Sequence, residues 1–229
     1  KANIKDIDFD CLVVLDCSDL SRTGEVYRLN KDNKPVINID HHIGNSNFGT
    51  ENLVDAKASS ASEMVYSLYK EMRVPFSRDD ALLLYVGIMT DTGSFRYSNT
   101  TSYTHKAVAD LMRFEFDIRK TYSSIYENIP FKEAQLLIKA LAHVHLSAGG
   151  RIAWVELPAK FFRHKKLSFD LSDHILSFMR SIKETQVVAL FRENLGVKQE
   201  IRFNLRSNGA VDVNKVARVF GGGGHKSAA

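Results

Sequence analysis

Three places in this chain set carboxylates or imidazoles at the ends of apolar segments, where such groups can hold a divalent cation or a phosphate. In Val36-Ile-Asn-Ile-Asp-His-His42 a short apolar run ends in one carboxylate and two consecutive imidazoles. The run reads as a buried strand, and the C-terminal end of such a strand is where open parallel sheets bind ligands. Side chains alternate along an extended segment. His41 can therefore hold a metal while His42 faces a substrate, with Asp40 placed to orient either ring. Two solvated loop histidines beside a surface aspartate would account for the same triplet. Asp16 directly follows Cys11-Leu-Val-Val-Leu15. A carboxylate there is costly to desolvate unless hydrogen bonds or a cation compensate it, although Ser18-Asp19-Leu20-Ser21 also leaves a turn or cap role open. Asp91 closes the run Ala81-Leu-Leu-Leu-Tyr-Val-Gly-Ile-Met89 and so meets the negative end of a helix dipole. The conflict is worth a few tenths to about 1 kcal/mol, and a cation removes it.

The elements that must position these groups can be read from periodicity and caps. Cys11–Leu15 is continuous and β-branched, hence a strand buried on both faces. Pro35 opens the next strand, and a turn-rich loop, 44–49, follows the histidines. Ser60-x-x-Glu63 is a capping box for a helix over 59–73 with Ala61, Met64, Val65, Leu68 and Met72 inward. Ser77-x-x-Asp80 caps a helix over 78–90 that is apolar nearly all round and therefore buried, with Gly93 as its stop. Beyond Asp91, Arg96 could reach a phosphate, while Phe95 and Tyr97 pack under the loop. A helix over 102–115 turns Tyr103, Ala107, Val108, Leu111 and Met112 inward and leaves His105 at the surface. Residues 117–130 lack a strong period and read as a connection, and Phe131–Ala142 as a linking helix.

The second half is organised differently. A hairpin turn at Ala148-Gly149-Gly150 joins strands 143–147 and 151–157. A helix covers 172–182 with Ile175, Leu176, Phe178, Met179 and Ile182 apolar, and strands 186–192 and 198–206 meet at Asn194-Leu195-Gly196. The cluster Arg163-His164-Lys165-Lys166 reads as a solvated loop. Asp212–Phe220 is a helix that runs into Gly221-Gly-Gly-Gly224-His225. Without side chains, that run can bring backbone N–H groups close to an anion, or can serve as a flexible tail.

Four features occur in one order: Leu15-Asp16, Asp40-His41-His42, Gly87-Ile-Met-Thr-Asp-Thr-Gly-Ser-Phe95 and Gly221-Gly-Gly-Gly-His225. The pattern resembles the DHH phosphoesterases, metal-dependent enzymes that cut phosphoester bonds, and the last feature resembles the DHHA1 substrate domain. The layout is most similar to the small oligoribonucleases that also act as pAp phosphatases, the nano-RNase type. The resemblance implies an α/β fold: a parallel-sheet DHH domain with helices on both faces over 1–125, a linker over 126–147, and a smaller α/β DHHA1 domain over 148–229. It implies a two-metal centre, usually Mn²⁺ with Mg²⁺ possible, in which Asp16 and Asp91 bridge or bind the metals and His41 binds one of them. His42 would face the scissile phosphate, with Asp40 either behind the ligands or an additional ligand itself. Arg206, Ser207, Gly222, Gly223, Gly224 and His225 would hold the terminal phosphate or nucleotide of the substrate. The family's first motif, His-x-Asp-x-Asp, has no counterpart here. Asp6-Ile-Asp-Phe-Asp10 comes nearest without a histidine, and the expectation is that an upstream segment supplies it.

Composition agrees with a globular protein, 44% hydrophobic and 25% charged. Residues 151–229 hold 14 Lys+Arg against 7 Asp+Glu, a net +7; the remaining 17 against 20 give −3, consistent with the total of +4. An acidic front suits metal binding and a basic back suits an anionic ligand. Cys11 and Cys17 flank one strand too closely for a disulfide framework and read as a buried and a near-site thiol, in a reducing compartment. No apolar run is long enough to span a membrane, so the expected address is the cytoplasm. The expected substrates are short single-stranded oligonucleotides or nucleotides, and the expected assembly is a homodimer. Two other functions stay open: a phosphodiesterase for cyclic or linear dinucleotides, and a nucleotide-binding module that has lost catalysis. No basic recognition helix suggests sequence-specific DNA binding.

Overall fold

The computed structural model describes residues 8–31, 33–147, 149–158, 161, 171–193, 200–209 and 211–229. The chain divides into two compact units, 1–121 and 122–229.

The first unit is built on a parallel three-stranded sheet in the order β1-β2-β3, comprising Leu12–Leu15, Val36–Asp40 and Glu51–Val54. Leu12 pairs with Val36 and Ile37 with Glu51. Between β1 and β2 runs a 3-10 stretch, Leu20–Leu29, kinked at Gly24, with Asp19 accepting from the Ser21 N–H at its start. Val14, Cys17 and Val36 form a small core on one face with Tyr27 and Phe48 against them. On the opposite face Ile39 is buried, but Val13 and Leu15 are about half exposed, at 49% and 50%. The expectation that β1 is buried on both faces is therefore corrected. In the described sheet β1 pairs with β2 alone, and the helix that packs on the sheet does so at β2. Cys11, just ahead of β1, is likewise exposed, whereas Cys17 is buried and donates to the Asp19 carbonyl. The short strand β3 is an addition to the expected elements; Glu-Asn-Leu-Val carries no apolar alternation that would mark it.

Three helices complete the unit: α1 (Ala61–Glu71), α2 (Arg78–Asp91) and α3 (Ser102–Met112). Both expected N-caps are present. Ser60 accepts from the Glu63 N–H, and Ser77 and Asp80 form a reciprocal box. Glu63 reaches back one residue further than expected, to the N–H and hydroxyl of Ser59 at 3.0 and 2.7 Å. Helices α1 and α2 touch closely at Gly87, where an added Cβ would lie 2.0 Å from Ser62 Oγ. Several side chains assigned inward are exposed instead: Met72, Leu83, Tyr103 and Met112 lie at 42–70%. Met72, Tyr103 and Met112 sit at helix ends, where helical spacing alone does not decide burial; Leu83, inside α2, corrects the reading of that helix as buried all round. Phe95 packs beside Tyr85 and His105, and Tyr97 lies against Gly93, as expected of aromatics under this loop.

Residues 117–130, read as a connection without a strong period, contain α4 (Ile118–Tyr126). The second unit, which starts within α4, contains α5 (Phe131–Leu141) and a mixed sheet in the order β4-β5-β6-β7: His145–Leu146, Ile152–Leu157, Val187–Glu193 and Ile201–Ser207. The β4–β5 and β6–β7 pairs are antiparallel, and β5 runs parallel to β6 across α6 (Leu171–Arg180). Alternation along these strands sends side chains to two cores. Ala153, Val155, Leu157, Val188 and Leu190 pack with Ala140 of α5 and with Ile175, Leu176 and Met179 of α6. Trp154, Ala189, Phe191, Phe203 and Leu205 pack with Val213 of α7 (Val213–Val219). Phe178, assigned to the apolar face of α6, is 53% exposed. The basic cluster 163–166 and the turn at 194–196 lie outside the described residues. No helix among the described residues is long and apolar enough to cross a membrane.

Candidate functional site

The C-terminal ends of β1 and β2 and the last turn of α2 converge in the first unit. Asp16 follows β1 with φ 56°, a left-handed conformation in which Asp is among the tolerated residues. Its carboxyl is 51% exposed, so the desolvation expected from the sequence is not imposed. Asp40 ends β2 and is completely buried; the rings of His41 and His42 meet edge to face, 5.2 Å apart, and both lie near Asp16 Oδ1.

His41 Nε2 lies 3.4 Å from Asp16 Oδ1 and 3.3 Å from Asp91 Oδ2. Its Nδ1 is 3.2 Å from the Ala58 carbonyl, which can only accept, so Nδ1 carries a proton. Nε2 then either bears a second proton or turns a lone pair toward two carboxylates. Burial pushes the imidazole down, but the Asp16 hydrogen bond, the Asp91 charge and the Ala58 carbonyl prevail and raise it. Burial, with Asp16 beside it, raises the Asp91 carboxyl. Nε2 and the two carboxylates thus compete for shared protons, a conflict that a divalent cation resolves. Ligand atoms of Asp16, His41 and Asp91 lie within 4.8 Å of one another. A second group, Asp16, Asp40 and His42, meets the same limit and shares Asp16 with the first. The Asp16, His41 and Asp91 donor set fits a divalent cation; in the second group Asp40 is completely buried and already bonded to His42 Nδ1.

Beneath these ligands lies an amide network that the sequence reading missed. His42 Nδ1 donates to Asp40 Oδ1 at 2.6 Å. Asn45 Nδ2 donates to Asp40 Oδ2 at 2.6 Å and to Asn38 Oδ1 at 2.8 Å. Asn38, fully buried, donates to the carbonyls of Val14 and Cys17 on either side of Asp16. Asp40 therefore orients His42 and is itself held to the end of β1. The signal for Asn38 was its place two residues before Asp40 in an apolar strand, on the same face. Asn45 had none, because Asn in a turn-rich loop has a sufficient local explanation. Burial pushes the Asp40 carboxyl up, yet hydrogen bonds from Asn45 and His42 outweigh it and hold the group below its ordinary 3.8. A depressed carboxyl contributes stability that is present above the unfolded value and lost as pH falls through the folded one. Asn45→Ala in metal-free protein is therefore expected to cost about 1–3 kcal/mol near neutrality. It should also shift acid unfolding to higher pH, as read by urea titrations across the acid range.

The second unit holds the other expected residues. Arg206 donates to Asp173 at 2.9 Å and to its neighbour's carbonyl, that of Leu205, at 3.1 Å. The Ser207 hydroxyl is buried, donates to Val211 O and accepts from the Gly209 N–H, so it is engaged in holding the turn. The glycine run is ordered by hydrogen bonds. Gly221, at φ 76°, donates to Arg218 O while Gly222 donates to Ala217 O, the paired bonds of a Schellman stop on α7. Beyond the run, the chain turns back at His225–Ala228 and pairs with β7 through Ser207–Ser227 and Leu205–Ala229 bonds. Among the described residues, the N–H groups of Gly223 and Gly224 have no hydrogen-bond acceptor, whereas those of Gly221 and Gly222 are engaged by α7. The expected backbone cradle is thus narrower than the four-glycine run suggests.

Comparison with known proteins places these features. The DHH family, N-terminal domain profile matches residues 2–88, and the DHHA1 domain profile matches 134–229. The probable bifunctional oligoribonuclease and PAP phosphatase NrnA of Streptococcus mutans is 32% identical over 96% of this chain and 69% of its own length. The bifunctional oligoribonuclease and PAP phosphatase NrnA of Bacillus subtilis is 31% identical over 83% of this chain and 60% of its own. The chain thus spans between three fifths and seven tenths of the length of these two relatives. A crystal structure of an exopolyphosphatase-related protein from Bacteroides fragilis superposes with a TM-score of 0.84 at 26% identity, covering 96% of this chain and 65% of that one. On the matched profiles, the relatives and the fold, the chain belongs to the DHH family, in the group that carries a DHHA1 domain.

Proposed function

We propose that the protein is a metal-dependent phosphodiesterase that degrades very short oligonucleotides to mononucleotides and also dephosphorylates pAp. The observation that carries the reading is the meeting of Asp16, His41 and Asp91 within one ligand sphere at the C-terminal edge of a parallel sheet. The names of the Streptococcus mutans and Bacillus subtilis relatives support the substrate class. Asp16 and Asp91, through their carboxylates, and His41, through Nε2, would hold the metal. A pair of divalent cations held there, Mn²⁺ or Mg²⁺, would supply an activated water and neutralise charge on the phosphoryl oxygens. His42, with Nδ1–H held by the buried Asp40, presents Nε2 to the scissile phosphate. Arg206, the Gly223–Gly224 backbone and His225 grip the substrate's terminal phosphate through bidentate and charge-assisted bonds. Ser207 shapes the turn beside them. The protein acts in the cytoplasm, as a homodimer.

The test is release of mononucleotides from di- to pentanucleotides, beside pAp, by the full-length protein with and without Mn²⁺. Turnover of both substrates, strongest on the shortest chains, is expected. Nucleotide binding without Mn²⁺-dependent turnover would overturn the reading in favour of a binding module.

A further inference from the structure

The return loop after α2 carries a side chain that belongs to neither the ligand set nor the substrate cradle. Asn99 Nδ2 donates to two backbone carbonyls, Ser59 at 2.9 Å and Asp91 at 3.2 Å. Asp91 is the last residue of α2, so its carbonyl is one of the four that a helix leaves without an internal partner. Ser59 directly follows Ala58, whose carbonyl fixes the tautomer of His41. Ser59 is in turn clamped by Glu63, whose Oε2 also accepts from Thr104 Oγ1 at 2.6 Å. One amide therefore joins the peptide group of a carboxylate ligand to the peptide beside the acceptor that orients the imidazole ligand.

Two features separate this from ordinary loop packing. The loop is already closed by its own bonds: Ser94 N–H to Met89 O, Arg96 and Tyr97 N–H to Thr92 O, and Thr100 N–H to Tyr97 O. Both Asn99 bonds leave the loop instead. Asn99 Oδ1 is also buried with no hydrogen-bond partner among the described residues. Flipping the amide would set that oxygen against two carbonyl oxygens, so the orientation is fixed by the two bonds that its NH₂ makes. A buried acceptor left without a partner is uncommon and calls for an explanation; here the two outward bonds supply it.

We infer that Asn99 is a positioning residue of the metal centre, setting the separation of Asp91 and His41. The inference rests on reading Asp16, His41 and Asp91 as metal ligands. It is tested by calorimetric titration of Mn²⁺ into the full-length protein and into Asn99→Ala, Asn99→Asp and Val108→Ala. Asn99→Asp keeps the shape but removes both donors. Val108→Ala opens the core in α3 and lowers thermal stability without touching either carbonyl. Both Asn99 variants are expected to weaken Mn²⁺ binding about 10- to 100-fold, while Val108→Ala keeps the wild-type affinity. At saturating Mn²⁺ the Asn99 variants should lower kcat and leave KM within about twofold. Should Asn99→Ala fail to fold, Asn99→Asp decides. Mn²⁺ affinity within about twofold of wild type in either folded variant overturns the inference alone. A wild-type protein that binds no Mn²⁺ overturns the metal-centre reading beneath it.

Discussion

Asp91→Ala is expected to abolish phosphoester turnover, by at least about 10²–10³-fold, without weakening the metal-free fold. The two halves of that expectation come from the same geometry. Asp91 stands at the C-terminus of α2, where the dipole disfavours a negative charge by about 0.3–1 kcal/mol. Burial and the neighbouring Asp16 also push its carboxyl up, so the ionised form is the less comfortable one in the apoprotein. A side chain placed for fold stability would not be put there. On the alkaline side of the histidine titration, where His41 offers no compensating charge, the variant should unfold at the same temperature as wild type or higher. Added Mn²⁺ should raise the melting temperature of wild type, because a ligand that binds only the native state stabilises it, and should raise that of the variant far less. Retained turnover, or an equal Mn²⁺-dependent shift in both proteins, would remove Asp91 from the centre.

The same contrast explains which parts of this molecule could be read from its sequence. Asp40, His41 and His42 were legible because three chemical groups come without interruption at the end of an apolar strand, the edge at which open parallel sheets bind ligands. Asp91 was legible because it violates a local rule, and local rules are broken most often where function requires it. Asn45 and Asn99 break no rule. An asparagine in a turn is locally sufficient, and its long-range bonds to Asp40 and to the Ser59 and Asp91 carbonyls exist only once the chain is folded.

The fold divides in the same way. Caps at Ser60 and Ser77 and the β6–β7 alternation are local signals and came through. Helix α4 did not, because Ile118, Tyr122 and Tyr126 make a short stripe of β-branched and aromatic residues with weak helix propensity. The exposure of Val13 and Leu15 could not be read either, since an apolar strand records its own composition and not what covers it. In the glycine run the composition was visible but the division of labour was not. Gly221 and Gly222 stop α7, and only Gly223 and Gly224 keep N–H groups without acceptors among the described residues.

Arg206→Ala is expected to raise KM for substrates with a terminal phosphate about 10- to 100-fold while kcat changes little. A hydrogen bond to a charged group contributes about 1.5–3 kcal/mol, and each 1.4 kcal/mol is about tenfold in affinity. Stability should move much less. The Arg206–Asp173 pair is partly exposed, at 23% and 60% for the two side chains, and a pair of that kind is worth about 0–1 kcal/mol. Asp173 makes the prediction sharper. If the guanidinium leaves Asp173 to receive the phosphate, that carboxylate competes with substrate, and Asp173→Asn should lower KM. If Nη2 keeps Asp173 while the other nitrogens bind phosphate, Asp173 pre-orients the fork and Asp173→Asn should raise KM instead. Arg206→Lys separates charge from geometry, since it keeps the cation but loses the planar fork; a KM near that of alanine would mean that bidentate geometry does the binding. Substrates without a terminal phosphate supply the decisive comparison. Their KM should be the same in wild type and Arg206→Ala, and an equal rise for both substrate classes would mean that Arg206 supports the β7 turn rather than the phosphate.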